Sequence, residues 1–341
     1  MKFTEAIKLA TIRTLKEDKK CLLFGLEITN EGNGFIEKFP NQVFETPVSE
    51  LSSTGLVVGL ASKGFKPLIV YGRIEFALLA FDQILTQAGR WEYMFGGNYS
   101  CPAKFRIQIG RQWGNGPQHT ANYHSVFMQA VEIDIFIPST PSEAYNQILY
   151  MSKSKNPSVL LEHRYLNLLD EDFKIQKKIK KISTSKVYGN KKDNIVIITY
   201  ADTLPTALKA KDILEMNNIF PTILNLSFFP KNQRISDKDI FFINKFKNIL
   251  LVDSSPYDFG ILSGVQSILS LHLQNKNFYK LSSPNIPAPS SPMLMHKYYV
   301  NKNNIVNYVC KILKRKNITL SKVSFEESIL WPNFNINKYF K

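Results

Sequence analysis

The sequence predicts an α/β protein of two domains, each a mainly parallel sheet flanked by helices. Three observations carry that expectation. Short β-type runs alternate with helix-length patterns along most of the chain. The length, 341 residues, suits two domains of roughly 100–200 residues each. The alternation breaks once, at a lysine-rich polar stretch from Lys174 to Lys192. Strands alternating with helices pair in parallel and are covered on both faces.

Taken in order, FTEAIKLATIRTLKED carries apolar residues at helical spacing, and KCLLFGLEI is a β-type run closed by the polar, glycine-bearing NEGNG. VFETPVSE ends a strand and leads into GLVVGLA (55–61), a helix of small apolar residues. KPLIVYG follows as a strand, then EFALLAFDQILTQAGRWEYMFG as a helix ending near Gly96 and Gly97. PAKFRIQIG and VEIDIFIPS are strands, and SEAYNQILYMSKSK is a helix before SVLLEH. Beyond the lysines, DNIVIITYA, PTILNLSF and NILLVDSS are strands. PTALKAKDILEMNN, DKDIFFINKF and FGILSGVQSILSLHL are the helices that follow them in turn. The expected division is a first domain over 1–172, a linker over 173–193, a second domain over 194–316 and an extension over 317–341.

Composition narrows the class. Hydrophobic residues at 44% and charged residues at 21% are ordinary for a globular protein with a core. No run of about 18 apolar residues is present, so no membrane span is expected. MKFTEAIKLATIRTL is too charged for a secretory signal and shows no cleavage site, which points to the cytoplasm or an organelle matrix. Cys21, Cys101 and Cys310 are scattered and odd in number, as in a reducing compartment. The net charge of +15 resides entirely in the second half, because residues 1–150 hold 14 basic and 14 acidic side chains. Much of the excess is KIQKKIKKISTSKVYGNKK, eight lysines without an acid, which reads as a solvated connector. Aromatic residues are not interleaved with those lysines, so nucleic-acid binding is not expected.

Familiar site motifs are sparse. Of the five histidines only His119 and His124 are close together, and no cysteine or carboxylate accompanies them at metal-ligand spacing. Glycine-rich phosphate loops of the G-x-G-x-x-G or G-x-x-x-x-G-K-S/T type are missing. GRQWGNGPQH (Gly110–His119) is an irregular loop whose glycines let the backbone come close to something. Glu50 is the puzzle: an acid closing VFETPVSE at the mouth of an apolar segment must be solvated, paired or used. Taken alone it reads as a favourable charge at a helix N-terminus.

FETPVSE, GLVVGLASKGFKPL, EFALLAFDQI, WEYMFGG, GPQH, IPSTPSEA and NPSVLLEHRYL occur in a telling order and spacing. Together they resemble the β subunit of the E1 component of 2-oxo acid dehydrogenases, thiamine-diphosphate enzymes related to transketolase. The resemblance runs from about residue 2 to 314 and closes with NIPAPSSPMLMHKYYV. It implies a pyrimidine-binding domain followed by a transketolase C-terminal-like domain. Glu50 matches the family glutamate that hydrogen-bonds N1′ of the cofactor's aminopyrimidine. That bond favours the imino tautomer, which removes the thiazolium C2 proton before decarboxylation. Burial in an apolar wall would suit such a carboxyl to proton exchange.

The resemblance also assigns other residues. Phe76, which by itself reads as a core residue, matches the aromatic that stacks on the aminopyrimidine. His119 matches the histidine of a Q-H-S-Q motif that lines the active-site channel and assists acyl transfer to a lipoyl acceptor. Gln118 and His124 are weaker neighbours, and Glu27 is the retained acid of a G-E-D-V-like segment. Arg73 is open to two readings, a substrate carboxylate contact or a surface ion pair. SKSKNP, with Ser154 where many relatives carry Asp, puts the family's structural potassium site in doubt, and a second channel histidine is absent near Gln129–Glu132. The chain contains no G-D-G, the motif that holds magnesium and diphosphate on the α subunit. An α-type partner, an α2β2 assembly and a lipoyl-bearing acyltransferase are therefore the implied company. The alternative is the C-terminal half of a split transketolase or related synthase. Beyond Lys316, Trp331, Phe334, Tyr339 and Phe340 have two options, packing on a partner or on this chain.

Overall fold

A computed structural model describes residues 1–26, 28, 34–111, 114–176, 182–189, 192–323 and 335–339. The chain opens with α1 (Phe3–Glu17), whose Phe3, Ala6, Ile7 and Ala10 recur at helical spacing and are buried. They pack on Ala144, Tyr145 and Ile148 of the helix Pro141–Lys153. Two short helices, α2 (Phe35–Lys38) and α4 (Ile74–Ala77), flank the longer α3 (Glu50–Ser62).

The first half contributes β1 (Cys21–Gly25), β2 (Val43–Glu45), β3 (Lys66–Tyr71), β4 (Lys104–Ile109), β5 (Asp134–Phe136) and β6 (Ser158–His163). All six are parallel, in the order β2-β1-β3-β4-β6-β5. The second half contributes β7 (Ser185–Tyr188), β8 (Ile195–Thr199), β9 (Thr222–Leu226), β10 (Phe228–Phe229), β11 (Asn248–Pro256) and β12 (Asn277–Ser283). Its five-stranded sheet runs β12-β11-β8-β9-β7, parallel except for β7. Two domains of mostly parallel sheet flanked by helices are thus present, as the alternation predicts.

Four expectations need correction. PTILNLSF is not one strand: the chain bends at Ser227, and β10 leaves its own sheet to pair antiparallel with β5. Phe228 stacks on Phe136 with ring centroids 4.4 Å apart and planes nearly parallel, an apolar contact that local periodicity does not register. The linker 173–193 is not all connector, since β7 lies within it and adds an edge to the second sheet beside β9. Tyr188 turns inward there while Val187 stays outside, the alternation of an edge strand. Residues 177–181, 190 and 191 of the linker fall outside the described residues.

EFALLAFDQILTQAGRWEYMFG is not one regular helix either. After α4 come a tight turn at Leu78–Ala80, a wide π-type segment at Asp82–Ala88 and a last turn at Trp91–Met94. The Asp82 carboxylate takes hydrogen bonds from the side chains of Thr86 and Gln87, the latter at 2.7 Å, across the widened turn. Finally, the strand expected over VEIDIFIPS covers only Asp134–Phe136.

Of the extension, Ile336 is completely buried, and Tyr339 donates its hydroxyl to Asp212 at 2.5 Å, so this part packs on the chain itself. Trp331, Phe334 and Phe340 fall outside the described residues. No described helix is long and apolar enough to cross a membrane.

Candidate active site

A cavity of about 660 Å³ opens at the carboxyl ends of β3, β4 and β6, the usual ligand crevice of a parallel sheet. Glu50 lines it from the first position of α3. The placement follows from local sequence: Thr46–Ser49 turn the chain out of β2, and α3 then buries Ser53, Thr54, Val57, Val58 and Ala61. Thr54 anchors the first turn, its Oγ1 lying 2.5 Å from both the Glu50 carbonyl and the Tyr71 hydroxyl. Tyr71 is buried, which pushes its phenol well above the ordinary range. The Glu50 side chain is only half-buried in this chain, and no described residue hydrogen-bonds its carboxylate. The apolar wall expected around it is therefore incomplete among the described residues.

Phe76 and Arg73 line the same cavity from the start of α4. The His119 ring meets Phe76 edge to face, with centroids 5.9 Å apart. Its Nδ1 is buried and has no hydrogen-bond partner among the described residues. The loop that carries His119 starts at Gly110, where φ is +86° and a Cβ would fall 2.1 Å from His163 Nε2, so only glycine fits. Thr120 Oγ1 donates to the Gly116 carbonyl, and Ala121 N donates to Glu75 Oε1 at 2.8 Å. Glu75, next to Phe76, thus ties the two halves of the site together. Sequence reasoning passed over it.

Of the other expected residues, two are not at the centre. Gln118 is exposed and does not line the cavity. Glu27 falls outside the described residues. His124 is completely buried at the junction of the two domains, its Nε2 2.7 Å from Tyr200 Oη and 3.0 Å from Ser255 Oγ. Tyr200 in turn donates to Asp253 at 2.5 Å, and burial lowers the pKa of His124. Around it, Arg111 lies between the rings of Tyr165 and Tyr299, 3.7 Å from Asp202. This cluster joins the domains; none of its residues lines the cavity, and Tyr299 faces the charge of the lining residue Arg164.

Five further charged residues line the cavity and escaped notice in the sequence: Glu5 and Lys8 on α1, and Arg106, Glu162 and Arg164. Arg106 on β4 makes a two-point pair with Glu162 on β6, at 2.7 and 3.0 Å. Arg164, just past β6, is 3% exposed. The available signal for Arg106, Glu162 and Arg164 was charge inside the strand patterns FRIQI and LLEHR, where a buried face should be apolar.

The residues present do not suit a potassium ion at SKSKNP. Lys104 Nζ donates to the carbonyls of Ser154, at 3.0 Å, and Asn156, so an ammonium stands among the oxygens that a monovalent cation would need. Burial pushes the Lys104 pKa down to about 7, against the pull of Asp134. Unfolded lysine titrates near 10.4. The unfolded chain therefore holds more protons between those values, and Lys104's contribution to stability rises with pH through that window. Wild-type protein should unfold at the same urea midpoint in potassium and in choline chloride. Lys104→Ala should lose roughly 1–3 kcal/mol, from carbonyls left unsatisfied, and regain part of it in potassium. A potassium-dependent midpoint in the wild type would contradict this assignment.

The fold is of a transketolase-like class, as comparison with known proteins shows. Residues 1–167 match the family model "Transketolase, pyrimidine binding domain", and residues 186–305 match "Transketolase, C-terminal domain". The chain thus carries a transketolase pyrimidine-binding domain followed by a transketolase C-terminal domain. It is similar to β subunits of 2-oxo acid dehydrogenases. It is 26% identical over 317 residues to the 2-oxoisovalerate dehydrogenase subunit beta of Bacillus subtilis, covering 88% of this chain and 94% of that protein. It is 25% identical over 333 residues to the mitochondrial pyruvate dehydrogenase E1 component subunit beta of Saccharomyces cerevisiae, covering 92% and 89%. Among solved structures, a split-gene transketolase described as an inactive β4 tetramer shares the fold with a TM-score of 0.72 at 17% identity, covering 92% of this chain and 98% of that one.

Proposed function

We propose that the chain is the β-type subunit of a thiamine-diphosphate-dependent 2-oxo acid dehydrogenase-like enzyme. One observation carries this reading: Glu50 and Phe76 share a cavity, and the His119 ring rests on Phe76. The Glu50 carboxyl would hold the pyrimidine N1′ and keep or release a proton there. The Phe76 ring would pack against the aminopyrimidine. When bound, the cofactor supplies an electron sink for decarboxylating a 2-oxo acid. His119, with one ring nitrogen lacking a partner among the described residues, would move a proton as the acyl group passes to a lipoyl-type acceptor. Arg73 would face the substrate carboxylate. Diphosphate and magnesium would be held by an α-type subunit carrying the G-D-G that this sequence lacks, in an α2β2 assembly.

Co-expression with such a subunit tests the proposal. The purified complex should decarboxylate a 2-oxo acid in the presence of thiamine diphosphate and magnesium. A complex that instead transfers ketol groups between sugars would point to the split-transketolase alternative. Within the active complex, His119→Ala should lower turnover with the natural acceptor on the order of 10²-fold more than turnover with a small artificial electron acceptor. Equal losses in the two assays would move His119 to an earlier step.

A further inference from the structure

Glu75 and Phe76 follow one another on α4, about 100° apart around its axis. Ile74 and Ala77, on the same turn, are buried against the first sheet and fix it in place. Phe76 lines the cavity, and the His119 ring lies against it with centroids 5.9 Å apart. Glu75 is not among the residues lining the cavity. It reaches the His119 loop instead, where its Oε1 accepts from Ala121 N at 2.8 Å. Between that contact and the ring the loop is wound tightly. His119 N donates to the Gly116 carbonyl at 3.2 Å, and the buried Thr120 sends its hydroxyl to the same oxygen. Beyond it, Asn122 Nδ2 donates to the Ser254 carbonyl at 2.8 Å, which fastens the far end of the loop to the second domain. One helical turn therefore presents Phe76 and grips the loop two residues from His119, so the two rings share a mount. An amide bonded to a carboxylate is a short, directional contact. A reacting group displaced by about 1 Å loses up to about 10²-fold in rate. Glu75 has a rival role as a counter-charge: burial and the Arg73 charge push the Arg164 pKa down to about 10, and the Glu75 charge opposes them.

We infer that Glu75 is a positioning residue: its hydrogen bond to the Ala121 amide sets the His119 ring against Phe76, and it acts as an acceptor of fixed reach, not through its charge. The consequence for acyl transfer rests on the function proposed above; the positioning does not. Two measurements on the full chain, both read by mass spectrometry, test the positioning without cofactor or turnover. They are hydrogen exchange at the Ala121 amide and carbethoxylation of the His119 ring by diethyl pyrocarbonate. Glu75→Ala should speed the first at least about tenfold and the second at least about threefold. Glu75→Gln keeps an acceptor oxygen at the same reach and drops the charge, so it should restore both. Glu75→Asp keeps the charge and shortens the reach, so it should behave like Glu75→Ala. These two conservative variants decide the matter if Glu75→Ala fails to fold. In the complex with an α-type subunit, Glu75→Ala should lower kcat with the lipoyl-type acceptor roughly 10–100-fold and leave KM for the 2-oxo acid unchanged, with Gln again rescuing. Wild-type exchange and ring reactivity in Glu75→Ala and Glu75→Asp overturn the positioning. A defect that Asp rescues and Gln does not assigns Glu75 to the charge facing Arg164 and overturns the acceptor role. A wild-type complex without decarboxylation defeats the proposed function alone, because exchange and ring reactivity still decide what Glu75 does.

Discussion

Glu50→Gln in the complex with an α-type subunit is expected to remove nearly all decarboxylation, a loss on the order of 10²–10⁴-fold or more. The amide keeps the shape of the carboxyl but does not exchange a proton with the aminopyrimidine. The fold should be indifferent to the change. The Glu50 side chain is half-buried, and no described residue hydrogen-bonds its carboxylate, whereas the backbone carbonyl that Thr54 engages survives the substitution. Thermal unfolding should therefore stay within about 0.5 kcal/mol of wild type, as for substitutions that disturb no structural partner. The measurement pairs a decarboxylation assay with a melting curve. Turnover close to wild type in the Gln variant would remove Glu50 from the chemistry.

The second large effect concerns the chain by itself, which should neither bind thiamine diphosphate tightly nor catalyse decarboxylation. The diphosphate is the part of the cofactor that most needs fixed charge and preorganised donors, and no G-D-G is present to supply a magnesium site. The outer face of α3 adds a structural reason. A Cβ placed at Gly55 or Gly59 would have no atom within 4 Å, and Leu51 and Leu56 are each 56% exposed. A helix that is smooth and apolar on its open side is suited to close contact with another subunit. Sedimentation should show self-association of the isolated chain, and the α-type subunit should convert it to a defined heterotetramer. Micromolar or tighter, magnesium-dependent cofactor binding by the isolated chain would be the contrary result.

The two-domain pattern of sheets flanked by helices was legible because it is local. Apolar residues at helical spacing in α1 and continuous apolar runs in β8 and β11 report which face is buried, whatever lies opposite. The spacing from Glu50 to Phe76 was legible for a related reason, since a helix, a turn and a strand between them carry both to one end of a sheet. What stayed hidden depends on distant partners. Phe228 and Phe229 look like the tail of β9, and only the stacked ring of Phe136 shows that they serve the other sheet. Lys104 looks like a misplaced charge until the carbonyls of Ser154 and Asn156 come round to meet it. Arg164 and Glu75 were passed over likewise, since the cavity and loop they serve are assembled from segments far apart in the chain. His119 and Gln118 are adjacent in sequence, yet the irregular loop turns one onto Phe76 and leaves the other in solvent.

The strand exchange at β10 has a bearing on how the protein is made. During synthesis the first sheet can form from β1 to β6, but the outer edge of β5 gains its partner only when Phe228 and Phe229 emerge. At about 5–20 residues per second, the stretch from Phe136 to Phe229 takes roughly 5–20 s to translate. For that interval a nascent chain holds a nearly finished sheet with an open, aromatic edge, the kind of surface that pairs with neighbouring chains on a polysome. The second half is then more than an addition to a finished first half: its arrival closes the sheet that precedes it, while residues 230–341 are still to be translated.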